Sequence, residues 1–220
     1  MGGGRRRSVR LGGVPDAVVR LLVPGWLRVA RAVALAAACS LAAGLAGCGD
    51  AAPPVAKLTT AEVKAKLAEP VAGQSAAERG LEQEASELLD VKPAGAVKTL
   101  EARVAALKGT PVVVNLWADW CGPCKREMPI LQRVALGNRG EIAFLGVAVN
   151  SPRAKAEAFL RNVFVPYPSL LDADGDVNIG TGVNSLPKTF FYDRSGKRTI
   201  HIGPYETEAD LLADIKRYAS

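Results

Sequence analysis

Histidine and cysteine, two side chains that often bind transition metals, are scarce in this chain of 220 residues. It has one histidine, His201, and four cysteines, at positions 39, 48, 121 and 124. A structural zinc site needs four ligands, usually supplied as two pairs. Only Cys121 and Cys124 have the spacing of such a pair, and no second pair accompanies them. We therefore predict no metal site.

A long hydrophobic run is also lacking. The apolar stretch at residues 32–47 has 16 residues, whereas a membrane-spanning helix needs about 20. An arginine-rich start precedes this stretch, and small residues end it, which is the pattern of a secretory signal peptide. We therefore expect residues 1–47 to be a signal peptide.

Basic residues are not in excess outside this leader. Residues 1–47 contain seven arginines and one aspartate, which account for the whole net charge of +6. From Cys48 onward, 21 lysines and arginines face 21 aspartates and glutamates. This balance offers no basic surface of the kind that binds nucleic acid. We therefore predict no nucleic-acid partner.

Residues 45–48, Leu-Ala-Gly-Cys, resemble the lipobox of bacterial lipoproteins. The resemblance implies that Cys48 is acylated and becomes the first residue of the mature protein. Residues 48–58 would then be a lipid-anchored tether on the extracytoplasmic face of the cell membrane. Two alternatives remain: an ordinary cleaved signal with an incidental Cys48, or an uncleaved anchor.

Residues 120–124, Trp-Cys-Gly-Pro-Cys, come two residues after the apolar run 112–117. A thiol at the start of a helix faces unpaired N–H groups and the positive end of the helix dipole, which lower its pKa. Cys124, one turn later, can form a disulfide with Cys121. So small a loop contributes little stability. We therefore predict a redox-active disulfide, with Cys121 as nucleophile and Cys124 as resolving thiol, and no other cofactor.

Apolar periodicity predicts an α/β domain over residues 96–220, in the order β-α-β-α-β-β-α after a first helix. The expected strands are 112–117, 142–149, 168–171 (short and extended), 189–192 and 198–202, and the expected helices are 97–108, 122–136, 153–162 and 206–218. Two polar helices, one ending at Glu69 and one running from Ser75 toward Leu89, precede them. We expect residues 59–95 to be a helical spacer of unknown role.

Residues 97–219 resemble the thioredoxin superfamily, through the motifs at 120–124 and 186–191 (Leu-Pro-Lys-Thr-Phe-Phe). Within it, residues 124–129 are similar to extracytoplasmic, membrane-tethered proteins of the TlpA/ResA type. The resemblance implies a thioredoxin fold, with a central mixed sheet flanked by helices. It implies a thiol–disulfide oxidoreductase that reduces disulfides of extracytoplasmic proteins, with a membrane electron donor and apocytochrome c as one possible client.

Glu127 is the third candidate catalytic residue. Cytoplasmic thioredoxins carry a buried aspartate six residues before the first active-site cysteine, where this chain has Asn115. An amide cannot act as a base at neutral pH. Glu127 lies three residues after Cys124 on the predicted helix and can reach it by i,i+3 spacing. The alternative interpretation of Glu127 is a solvated helix charge.

Three further residues are implied to contact the substrate. Trp120 would pack beside the thiols and shield them, or else be an ordinary core residue. Pro187 falls where the superfamily has a cis-proline, and a trans-proline in a turn is its alternative. Leu186 occupies a position that lines the substrate groove in this superfamily, where threonine or valine is more usual.

Two other functions remain open. The first is an oxidase or isomerase of secreted proteins, which differs from a reductase in its reduction potential. The second is a copper- or thiol-binding module using Cys121, Cys124 and His201, although copper proteins of this fold usually have three residues between the cysteines. We expect His201 to be an exposed strand residue. The acids at 172, 174 and 176 depart from the EF-hand spacing, and we expect a solvated turn there.

Overall fold

The computed structural model describes residues 55–92 and 94–219. The predicted signal peptide, the lipobox cysteine Cys48 and the first residues of the tether lie outside these ranges. These described residues form one compact unit. Among the described residues, no helix has both the length and the apolar character needed to cross a membrane.

The helices and strands follow the predicted order, with two additions, a strand of two residues and a helix of four. The short extended segment predicted at 168–171 is a full member of the sheet, at Ser169–Asp172. In chain order the elements are α1 (Thr60–Ala68), α2 (Ala76–Gln83), β1 (Leu88–Leu89), α3 (Ala96–Ala106), β2 (Val112–Trp117), α4 (Gly122–Gly137), β3 (Ala143–Val149), α5 (Arg153–Asn162), β4 (Ser169–Asp172), α6 (Asp176–Ile179), β5 (Lys188–Tyr192), β6 (Arg198–Ile202) and α7 (Glu208–Tyr218).

The strands form one six-stranded sheet in the order β1-β4-β3-β2-β5-β6. Strands β1 to β4 are parallel, and β5 and β6 are antiparallel to their neighbours. Every residue of β2 and β3 is buried, as the continuous apolar runs predict for central strands covered on both faces. Helices α4, α5 and α7 contribute to the core on one face, and α2, α3 and α6 to the core on the other. The predicted mixed α/β fold is confirmed.

The segment at residues 59–92 packs on the rest of the domain, with α1 against α4 and α2 against β3. Val63 of α1 and Leu81 of α2 are buried, and β1 pairs in parallel with the start of β4. The prediction of a helix continuing to Leu89 is wrong. Helix α2 ends at Gln83 because Ser86 adopts a positive φ of 61° and its N–H donates to the carbonyl of Tyr167 at 3.0 Å. The segment expected as a spacer therefore completes the edge of the domain.

The end of the predicted tether is bonded to the domain. The Leu58 N–H donates to Gln132 Oε1 at 2.6 Å, and Gln132 Nε2 donates back to the Leu58 carbonyl at 3.2 Å. Arg133 donates to the carbonyl of Ala56 through Nε and Nη2, at 3.0 and 2.8 Å. Residues 55–58 are thus fixed on α4, the helix that begins directly after Cys121 and contains Cys124.

Candidate active site

Helix α4 begins at the cysteine pair. Cys121 is its N-cap, and the Cys121 Sγ accepts a hydrogen bond from the Cys124 N–H at 3.2 Å. Pro123 falls in the first turn, where a missing N–H costs no helical hydrogen bond. The structure joins Cys121 and Cys124 as a disulfide with their Cα atoms 5.3 Å apart, which confirms the predicted pairing.

The two cysteines differ in access. Cys121 retains 4% of its accessible surface, whereas Cys124 retains none. Of the two residues, only Cys121 has any surface that an incoming sulfur could approach. The division into nucleophile and resolving thiol stays a prediction.

Trp120 lies on the surface directly before Cys121. Its side chain is among the exposed large hydrophobics, with 60% of the residue accessible, and its Nε1 donates to the carbonyl of Asn150 at 3.1 Å. The alternative that Trp120 is a core residue is therefore wrong. A role in contacting the substrate stays a prediction.

Pro187 and Leu186 lie at the same end of the sheet as the disulfide. The Leu186–Pro187 peptide bond is cis, as predicted. Lys188, the first residue of β5, is opposite Leu116 near the end of β2, so the preceding residues lie at the edge where β2 leads to Cys121. Leu186 is partly buried and contacts both cores. The substrate contacts of both residues stay predictions.

Glu127 is fully buried, so its interpretation as a solvated helix charge is wrong. Its Oε1 accepts a hydrogen bond from Asn115 Nδ2 at 2.9 Å, and its Oε2 accepts one from the Tyr205 N–H at 3.1 Å. The carboxyl thus links α4 to the centre of β2 and to the connection between β6 and α7.

Burial raises the pKa of Glu127 to about 8. The hydrogen bonds from Tyr205 and Asn115 lower this pKa without cancelling the effect of burial, and the nearby charge of Glu206 raises it. A carboxyl with this pKa can take up or release a proton near neutral pH, which is the property that a general base needs. When it is protonated, it needs an acceptor for its O–H. The buried Oδ1 of Asn115 has no partner among the described residues, so rotation of this amide can supply that acceptor.

Lys188 is a buried cation that sequence reasoning missed. Its side chain is fully buried, and its Nζ donates to Asn178 Oδ1 and to Thr181 Oγ1, both at 2.6 Å, and to the carbonyl of Val183. Burial lowers the pKa of this ammonium group. The amine therefore organises the loop that leads to Leu186 and Pro187. A lysine inside the apolar run of a buried strand was the available signal.

Asp172 and His201 also depart from expectation. Asp172 is 1% exposed, and its two carboxylate oxygens accept hydrogen bonds from the N–H groups of Asp176 and Val177, each at 3.0 Å. Asp172 therefore caps α6 and is not a solvated turn residue. His201 is only partly exposed, and its Nδ1 lies 3.1 Å from Asp214 Oδ2. Within the described ranges, no three acids, cysteines or histidines are grouped to hold a metal.

An open groove of about 620 Å³ lies between α4, α5 and the residues that precede α1. Phe159 and Val163 contribute apolar surface to it, and Asp119 and Lys125 also line it.

The mixed sheet and the disulfide at the start of α4 define a thioredoxin-fold protein with a Cys-x-x-Cys active-site pair. Residues 89–198 match the model of the AhpC/TSA family, which is half of the chain. The chain belongs to this family, and the predicted thioredoxin-like relationship is confirmed.

Individual relatives cover less of the chain. It is 33% identical over 98 residues to the thiol-disulfide oxidoreductase ResA of Geobacillus thermodenitrificans, a match covering 44% of this chain and 56% of ResA. It is 34% identical over 90 residues to the thiol:disulfide interchange protein DsbE of Escherichia coli, covering 40% of this chain and 47% of DsbE. The chain thus spans about half the length of these curated relatives. The solved structure of MTB dsbF, in mixed oxidized and reduced forms, aligns with a TM-score of 0.48 and 29% identity, over 52% of this chain and 84% of that chain.

Proposed function

We propose that this protein is a membrane-anchored thiol–disulfide oxidoreductase that reduces disulfides of extracytoplasmic proteins. The observation that carries the proposal is the disulfide at the N-terminus of α4 between Cys121, which retains 4% of its accessible surface, and Cys124, which retains none. The names of the relatives ResA and DsbE support this class of reaction.

The reaction consists of two exchanges. In the reduced protein, the Cys121 thiolate attacks one sulfur of a client disulfide, a mixed disulfide forms, and the other client sulfur leaves as a thiolate. Cys124 then loses its proton and attacks Cys121, which releases the second client thiolate and forms the Cys121–Cys124 disulfide. Two electrons pass from the protein to the client. A membrane electron donor must return them before the next cycle.

Glu127 is proposed to accept the proton of Cys124 during the second exchange. It follows Cys124 by three residues on α4, and its pKa of about 8 lies close to that of an ordinary thiol. Because this carboxyl is buried, it can serve a buried thiol that solvent does not reach. Trp120, Leu186 and Pro187 would contact the client beside the cysteines.

Anchoring through Cys48 would hold this chemistry outside the cell membrane. The lipobox resemblance supports the anchor, and the arginine-rich leader supports export. An oxidising compartment would also explain why the only described cysteines form one disulfide. We expect the clients to be exported proteins with exposed disulfides.

The direction of electron flow is tested by the reduction potential of the Cys121–Cys124 pair. We expect a value near that of a reductant such as thioredoxin, about −270 mV, because Gly-Pro between the cysteines is typical of reductants. Equilibration with glutathione or dithiothreitol buffers, followed by alkylation and mass measurement, gives the potential. A value near about −120 mV would identify an oxidant and reject the reductase direction.

The reaction and its clients are tested with the variant Cys124→Ser. Without the resolving thiol, the mixed disulfide at Cys121 should accumulate and can be purified from cells under non-reducing conditions. Mass spectrometry then identifies the client. The double variant Cys121→Ser/Cys124→Ser is the matched control and should capture nothing. Failure of Cys124→Ser to capture more than this control would contradict the resolving role of Cys124.

A further inference from the structure

The two hydrogen bonds to Glu127 come from parts of the molecule with different constraints. Asn115 lies in the middle of β2, where strands on both sides fix its backbone. Tyr205 lies in the connection between β6 and α7, outside the sheet. The Tyr205 N–H stays 3.1 Å from Glu127 Oε2 only if something other than the sheet holds this connection in place.

The side chain of Tyr205 supplies that restraint. Tyr205 is 4% exposed, and its hydroxyl donates to Asp214 Oδ2 of α7 at 2.8 Å. The ring of His201 stacks on the ring of Tyr205, with centroids 4.4 Å apart and planes at 21°. Tyr205 is thus held from β6 on one side and from α7 on the other.

Asp214 joins the two contacts. Its Oδ2 accepts the Tyr205 hydroxyl and also lies 3.1 Å from Nδ1 of His201. The side chains of Asp214 and His201 retain 20% and 31% of their accessible surface, so solvent only partly screens their interaction. The connection between β6 and α7 is also bonded to the residue before β5, because the Gly203 N–H donates to the carbonyl of Pro187 at 3.1 Å.

We propose that Asp214 and His201 are positioning residues, which hold Tyr205 so that its backbone N–H remains on the carboxyl of Glu127. This inference rests on the proposed oxidoreductase function, because Glu127 matters there as the proton acceptor for Cys124. The cluster acts through hydrogen bonding and packing, and none of its side chains touches the cysteines in the described contacts.

The direction of the effect follows from the contact itself. The Tyr205 N–H stabilises the charged form of Glu127 and lowers its pKa from the value that burial alone would give. The titratable groups that act on Glu127 are Tyr167, Tyr205 and Glu206. Burial raises the pKa of both tyrosines above the usual range, so they are neutral at neutral pH. Loosening Tyr205 should therefore raise the pKa of Glu127.

The variant Tyr205→Phe tests this directly, because it removes the hydroxyl and keeps the ring and the backbone N–H. We expect the titration midpoint of Glu127 to rise by about half a unit to one unit, which lowers its deprotonated fraction about threefold to tenfold at neutral pH. Carbon-13 NMR of the Glu127 carboxyl in the oxidised full chain measures the midpoint without using activity.

Three further variants separate positioning from a general loss of structure. Asp214→Asn keeps an oxygen that accepts the Tyr205 hydroxyl and should remain closer to the parent midpoint than Asp214→Leu, which removes it. Tyr192→Phe makes the same chemical change as Tyr205→Phe at the end of β5 that pairs with Val112, away from Pro187, and should leave Glu127 unaffected. If Tyr205→Phe unfolds, the comparison of Asp214→Asn with Asp214→Leu decides. An unchanged midpoint in folded Tyr205→Phe, or in folded Asp214→Leu, overturns the proposal.

The same variants distinguish this inference from the proposed function. In disulfide exchange, the pH profile of Tyr205→Phe should shift upward in parallel with the NMR midpoint, while the plateau rate at high pH stays close to the parent rate. A shifted midpoint in a protein whose parent form shows no exchange would reject the oxidoreductase function and leave the positioning intact. A normal exchange reaction in the parent protein, with an unshifted Glu127 midpoint in the variant, would reject the positioning role and leave the oxidoreductase function intact.

Discussion

Replacement of Cys121 by serine should slow thiol–disulfide exchange by at least about a thousandfold, because a hydroxyl is not appreciably ionised where a thiol is. Cys121 is the only residue of the pair with any accessible surface, since Cys124 is fully buried. A buried Cys124 cannot take over the first attack. The rate of reaction of the reduced protein with a chromogenic aromatic disulfide measures this step.

The matched comparison is Cys124→Ser, which keeps the nucleophile. It should release one equivalent of the aromatic thiolate and then stop, because the second exchange needs Cys124. Cys121→Ser should release none on the same time scale. Rapid reaction of the Cys121→Ser protein would place the nucleophile elsewhere and would contradict the assigned order of attack.

The second large effect concerns stability and pH. The pKa of Glu127 is about 8 in the folded protein, against 4.5 for the unperturbed group. Below the lower value the carboxyl is protonated in both states. Between the two values only the folded state holds the proton, so the free energy of unfolding falls as pH rises, and it levels off above about 8. Over this window Glu127 accounts for a decline on the order of 5 kcal/mol.

The variant Glu127→Gln should lack this decline. Its stability should be similar to that of the parent protein at acid pH and greater at alkaline pH, because glutamine stays neutral. Urea unfolding of the oxidised forms across the pH range gives the two curves. Glu141→Gln is the control, since it changes an exposed carboxyl, and it should follow the parent curve. Parallel curves for Glu127→Gln and the parent would contradict the assigned pKa.

Sequence reasoning was most successful where local pattern decides structure. The continuous apolar run of β2 and the cysteine pair after it predicted both the central strand and the helix N-terminus, since each depends on neighbouring residues. The spacing between Cys124 and Glu127 placed both on one helix. It could not give the burial of Glu127, because this depends on Tyr205, which lies 78 residues further along the chain.

Long-range packing also explains the other departures. Strand β1 has two residues, too few for a periodic pattern, and it forms only because β4 offers a parallel partner. His201 was expected to be exposed because the sequence contains no sign that Tyr205 and Asp214 meet it. Lys188 is buried because the loop at 178–183 folds back over its amine. In none of these arrangements can the contacting partners be identified within a short window of sequence.

The pairing of β1 with β4 has a consequence for how this protein coexists with its clients. Without β1, the backbone groups along one side of β4 would be open to any extended chain, and open sheet edges recruit such chains into aggregates. Leu88 and Leu89 pair with Ser169 and Leu170 and replace that side with an edge strand of only two residues. So short an edge offers an extended chain little to pair with, a property suited to a protein proposed to meet exported polypeptides.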